Sequence, residues 1–253
     1  MIFRRAGSVR VDSGLLLFID PCYVQSGASQ QSTSKTVEAK LAADRSGQLH
    51  YPLGHPGLGV VATDLPTGTH DAWIGEEDGR VWRLEIWFGP RRLDLEHHSS
   101  LGVCGVDAGQ IMVVDPRNLD PHWVDQDDAA VVGVTFWGGD KNLLLDALGD
   151  RVEEYQGGIG NHLVSGADGD VIEAEIQALA AKLGASKIVT HVERRSSYEG
   201  VCALTRRGAG TLPFPDGTDG WLVAASSGDG DGIYEVSELI SQGRVIAVAI
   251  DFR

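Results

Sequence analysis

The chain has 253 residues, a formal net charge of −15, 42% hydrophobic residues and 33 glycines. That is enough chain to bury a full core, in one large domain or two small ones. The charge argues against a nucleic-acid ligand, whose phosphates need Lys and Arg, and against an anionic membrane surface; it suits a cation, a basic protein partner or simple solubility.

In chain order, residues 1–10 predict a short strand or arm. The apolar run Leu15–Ile19 reads as a buried strand that Gly14 opens and Pro21 stops, because proline cannot donate to a sheet ladder. Gln25–Ser34 is rich in Ser and Gln and reads as an exposed loop, with a short helical piece at Thr36–Ala43. Gly59–Ala62 is a strand candidate. Trp73–Ile74 and Val81–Phe88 form a hairpin around Glu76-Glu77-Asp78-Gly79; Trp82, Leu84, Ile86 and Phe88 make one face entirely apolar, as a half-buried strand requires.

Val131–Trp137 predicts another strand. Leu143–Tyr155 predicts a helix with Leu145, Leu148 and Val152 on one face. Asp170–Leu183 is the clearest helix. Ile172, Ile176, Leu179 and Leu183 recur at helical spacing, Asp170 and Glu173 resemble a capping box, and Gly184 closes the end. Lys187–Val192, Val201–Leu204, Trp221–Ala225 and Val245–Phe252 read as strands. Many short strands with two to three helices give a mainly-β or α+β fold.

The pattern Val11-Asp12-Ser13-Gly14 to Asp20-Pro21 recurs, without a gap, as Val106-Asp107-Ala108-Gly109 to Asp115-Pro116. Five of the eleven positions are identical, which points to two related halves within one globular unit. Asp20 and Asp115 stand at strand ends before a rigid turn. They are either turn residues bonding nearby backbone, or a pair of carboxylates for a cation or for acid–base work. Asp12 and Asp20 lie too far apart along one strand to meet. Asp229 and Asp231, in Ser227-Gly228-Asp229-Gly230-Asp231-Gly232, form either a hairpin turn or a ligand loop for Mg²⁺ or Ca²⁺; an EF-hand pattern is absent.

The remaining candidates are weaker. His50, His55, His97 and His98 lack helical metal-ligand spacing. Gly157–Asn161 lacks the lysine of a phosphate loop. Cys22, Cys104 and Cys202 show no paired spacing. They read as buried free thiols in a cytoplasmic protein. No apolar run approaches the roughly 18 residues of a membrane helix, and the first residues lack the shape of a signal peptide.

Ser13-Gly14 through Asp20-Pro21-Cys22-Tyr23, then Val106-Asp107-Ala108-Gly109-Gln110, Gly230-Asp231-Gly232-Ile233-Tyr234 and Gly243–Phe252 together resemble a family of uncharacterised bacterial and phage proteins with a domain of unknown function. The resemblance covers the two ends of the chain; residues 120–220 lie outside it. Some relatives look like members of toxin-immunity or phage-defence neighbourhoods, which implies a protein-binding role.

Two functions follow as expectations. One is a non-enzymatic binding protein for a protein or small-molecule partner, using Asp20, Tyr23, Asp107, Gln110, Asp115, Asp229, Asp231 and Tyr234. The other is a metal-dependent hydrolase in which Asp20, Asp115, Asp229 and Asp231 gather around Mg²⁺ or Ca²⁺ and activate water.

Overall fold

The computed structural model describes residues 1–25, 32–43, 48–49, 59–92, 97–125, 131–155, 161–194 and 196–253. The chain divides into two compact units, Met1–Trp123 with Gly200–Arg253, and Val124–Glu199. The second is an insertion in the first, where the sequence alone reads as one unit.

The larger unit is built from two sheets. Sheet A runs β1 (Ile2–Val11), β5 (Gly68–Glu77), β6 (Arg80–Trp87), β16 (Arg244–Asp251), β15 (Gly232–Ser241) and β7 (His97–Val106). Sheet B runs β13 (Ala209–Pro213), β14 (Gly220–Ser226), β8 (Gln110–Val114), β2 (Leu16–Ile19), β4 (Gly59–Ala62) and β3 (Gln48–Leu49). All neighbours are antiparallel.

Both orders read the same from either end once the halves are matched. β1 and β7 have equal length and stand at the same distance before the repeated motif. β5–β6 corresponds to β15–β16. Each of these hairpins turns on a residue with positive φ followed by glycine, Asp78-Gly79 (53° and 76°) and Gln242-Gly243 (52° and 69°). Such a turn matches the twist of its strands. A pseudo-twofold axis passes between Phe18 and Val113 in sheet B and between Glu85 and Ala249 in sheet A, where these pairs face each other. The eleven-residue repeat thus sits within a strand layout that occurs twice in this unit.

The core of this unit contains Val9, Phe18, Val60, Ile74, Leu84, Ile86, Val113, Val223, Val248 and Ile250, all fully buried. Leu17, Ile19, Met112, Val114 and Leu222, on the opposite face of sheet B, are buried as well. That explains why the repeated strands are continuous apolar runs instead of alternating ones. Helices α1 (Thr33–Ala43) and the four-residue α2 (Leu119–His122) belong to this unit.

Where β7 passes β3 and β4, one side chain closes the join. The Gln48 amide accepts the N–H of Val103 (2.8 Å) and donates to Val103 O (2.8 Å) and Gly59 O (3.0 Å). These are the bonds that a neighbouring strand would make.

The inserted unit is a four-stranded antiparallel sheet in the order β10 (Val152–Tyr155), β11 (Asn161–Ser165), β9 (Val131–Trp137), β12 (Val189–Arg194). Helices α3 (Lys141–Leu148) and α4 (Gly169–Leu183) share a core with it: Val134, Phe136, Leu144, Leu148, Val164, Ile176 and Ala180. Helix α5 (Ser197–Thr205) returns the chain to the larger unit.

The mainly-β or α+β reading holds, with five helices among the described residues instead of two to three. Val201–Leu204 is helical, not a strand: Val201 is buried one turn before Thr205, whose hydroxyl lies 3.1 Å from Val201 O. The helix expected over Leu143–Tyr155 stops at Gly149, which has φ 53°, and Val152–Tyr155 pairs with β11 instead. The cap of α4 is Asp168, which accepts the N–H of Val171, while Glu173 accepts a hydrogen bond from the Thr190 hydroxyl. Gly184 takes the left-handed conformation at its end, as expected. Of the three free thiols, only Cys104 is fully buried; Cys22 is exposed and Cys202 intermediate.

Candidate functional site

Each repeated strand ends in an aspartate that holds the other repeat. Asp20 Oδ2 accepts the N–H groups of Asp107 and Ala108 (both 2.7 Å), and Oδ1 accepts that of Cys22 (2.8 Å). Asp115 Oδ2 accepts the N–H groups of Asp12 (2.7 Å) and Ser13 (2.6 Å); Oδ1 accepts the Ser13 hydroxyl (2.8 Å) and the N–H of Arg117 (2.9 Å). Both carboxylates are fully buried. Hydrogen bonds to a charged acceptor are stronger than neutral ones, and a buried carboxylate needs several.

This geometry separates the aspartates. Ile19 faces Met112 and Leu17 faces Val114, so Asp20 and Asp115 leave opposite ends of the β2–β8 pair, about 13 Å apart along the strands. The expected four-aspartate ion site is not formed by that arrangement: two of its members sit at different ends and are saturated by backbone donors. Among the described residues, no group of three or more His, Cys, Asp or Glu is placed to hold a metal ion.

Most of the other candidates do come together, at the Asp20 end. The Tyr23 hydroxyl donates to Asp107. That bond, followed by burial, pushes the pKa of the phenol well above its usual range. Cys22 is exposed as a residue, but partial shielding of its sulfur from water, then the thiol's own bond to Asp20, does the same for it, so this thiol stays protonated and is a poor nucleophile.

The 227–231 loop lies against the same turn, with Ser227 N donating to Gly109 O (3.0 Å). Tyr234 is buried and its hydroxyl donates to Gly230 O (2.8 Å), which pins the loop from beneath. Asp229 pairs with Arg80 at 2.5 Å on the open surface, and Asp231 is exposed next to Asp107, because Gly232 faces Val106. Gln110 belongs elsewhere: it is buried, accepts the Thr205 hydroxyl (2.8 Å) and lies 3.2 Å from the Cys202 sulfur. No family model, no curated protein and no solved structure matches this chain.

Two features escaped the sequence reading. The first is apolar surface beside the acidic loop. Ile233 is 62% exposed and Val103 36% exposed. Ile233 faces Gly105 and Glu235 faces Val103 across β15 and β7, so these four, with Asp231 and Asp107 just beyond, share the outward face of sheet A. The strand alternation offered a signal, since Tyr234 and Ile233 must point to opposite faces.

The second is a buried carboxylate, Glu85, on the outward face at the pseudo-twofold axis. Its oxygens accept Arg83 Nε (2.8 Å), Trp87 Nε1 (2.7 Å) and Arg91 Nε (2.9 Å). The Arg91 guanidinium also stacks 3.6 Å over the Phe3 ring. Glu85 is therefore fully paired, and its arrangement is that of a positioning network.

Proposed function

We propose that this chain is a non-catalytic binding protein that docks a basic segment of a partner protein on the outward face of β7 and β15. The observation that carries the reading is Ile233, a large apolar side chain held 62% exposed on a strand and ringed by Asp107, Asp231 and Glu235. Exposed apolar side chains rimmed by charge of one sign fit a partner with an apolar anchor and opposite charge around it. The saturated state of Asp20 and Asp115 supports the same reading, because it leaves them no free oxygen for water activation. The resemblance to proteins of immunity and defence neighbourhoods implies the same kind of role.

The test is a titration of the full chain with short Lys- and Arg-rich peptides that carry one central Leu, Phe or Trp, alongside acidic counterparts. The basic peptides should bind, less tightly as salt rises, and Ile233→Asp should weaken them by about tenfold or more. Equal binding by Ile233→Asp, or preference for the acidic peptides, overturns the reading.

A further inference from the structure

One group in the inserted unit is unexplained by its packing. His162 stands on the helix-facing side of β11, opposite Phe136 on β9, with ring centroids 5.7 Å apart. Its Nε2 is shut off from solvent and has no hydrogen-bond partner among the described residues. A neutral imidazole tolerates this in the tautomer that carries its proton on Nδ1, because the unmatched atom is then a lone pair and not a donor. A charged imidazolium has no such escape: both nitrogens must donate, and among the described residues one has no acceptor to meet.

The charged groups around it do not supply one. From α3, Lys141 disfavours a second positive charge; from β10, Glu154, paired directly with His162, pulls the other way more weakly. β9 offers the Phe136 ring. Beyond it β12 presents Thr190, whose hydroxyl is already bound to Glu173 of α4 at 2.5 Å. Burial first, then Lys141, lowers the proton affinity of His162.

We propose that His162 is an acid-sensitive latch in the 124–199 unit: a proton taken from solvent onto Nε2 loosens α3 from the sheet and β10 from β11. The sign follows from linkage. A folded-state affinity below that of the unfolded chain means that unfolding takes up a proton. The stability that His162 contributes is thus complete above about pH 6.5, the ordinary histidine value, and is lost as the pH falls below it.

The experiment is hydrogen exchange on the full chain between pH 7.5 and 5.0, corrected for the intrinsic pH dependence of exchange, with the wild type, His162→Phe and His162→Gln. Wild-type amides in residues 141–155 and 161–165 should lose protection by about three- to tenfold, while those of β2 and β8 keep theirs. Both variants, which carry nothing to titrate at this position, should lose little. If all three proteins lose the same protection, the latch does not exist. A proton NMR titration of the His162 ring gives a second reading, and a midpoint at or above 6.5 overturns the proposal even if one variant fails to fold.

Discussion

The two repeats solve one problem with different atoms. In the second, Asp115 receives its fourth hydrogen bond from the Ser13 hydroxyl. In the first, the position of Ser13 is taken by Ala108, which has no hydroxyl, and a thiol bond from Cys22 reaches Asp20 instead; the residue matching Cys22 in the other repeat is Arg117. The backbone geometry is common to both, and the last donor comes from the other repeat at Asp115 and from the aspartate's own turn at Asp20. The lesson is that the carboxylate saturated by donors, and not any particular side chain, is what each half requires.

The outward face of sheet A differs more. Around the pseudo-twofold axis one half presents Arg83, Glu85 and Trp87, and the other presents Ala247, Ala249 and Asp251 at the matching places. Large paired side chains from one half lie beside the small ones of the other. On the core-facing side, Ile74 of β5 is replaced in β15 by Glu238, whose proton affinity is raised by burial and then by Asp64.

These differences can be broken one at a time. The largest effect belongs to the aspartates themselves. Asp115→Ala should cost about 4 kcal/mol in urea unfolding and Asp20→Ala about 3, since each leaves buried N–H groups without an acceptor and the first loses the stronger donor set. Equal costs near zero would mean that the cradles are ornamental.

A smaller effect sharpens the comparison. Ser13→Ala should cost about 1 kcal/mol, and Ala108→Ser should make Cys22→Ala nearly harmless, giving a coupling of about 1 kcal/mol in a double-mutant cycle. Additive changes would show that the thiol and the hydroxyl are not substitutes.

The smallest effect concerns Glu238. A raised affinity means that the folded state holds this proton more tightly, so the corresponding stability is present below the ordinary glutamate value, about pH 4.3, and is lost as the pH rises through the folded-state value. Glu238→Gln should therefore unfold at higher temperature than the wild type at pH 7, with the gap closing toward pH 4. A gap that widens in acid would reverse the assignment.

How much of this was legible in the sequence depends on what each position has to satisfy. The Val11–Pro21 motif shows because it is held from several sides at once: a strand buried on both faces, a turn glycine, and an aspartate fitted to specific N–H groups. β1 and β7 fold alike with little sequence in common, since a strand of one sheet asks only for a tolerable alternation. The aspartates were found, but their partners were not, because the N–H groups they hold belong to the other repeat and backbone donors leave no trace in a side-chain pattern. Glu85 hid in a strand whose other face is apolar; only the packing of Arg91 and Trp87 reveals that the polar face is buried too. Val201–Leu204 misled because a short apolar run has no period long enough to separate helix from strand.

The Gln48 amide against Val103 has a consequence for life in a crowded solution. A long border strand with bare N–H and C=O groups is a template on which other chains, including copies of this one, can stack and grow. At Val103 that template is interrupted by a single side chain carried on a strand only two residues long. An apolar residue in place of Gln48 would leave the fold its core but remove this guard, and the first sign would be slow fibre or oligomer growth in concentrated samples before any fall in melting temperature.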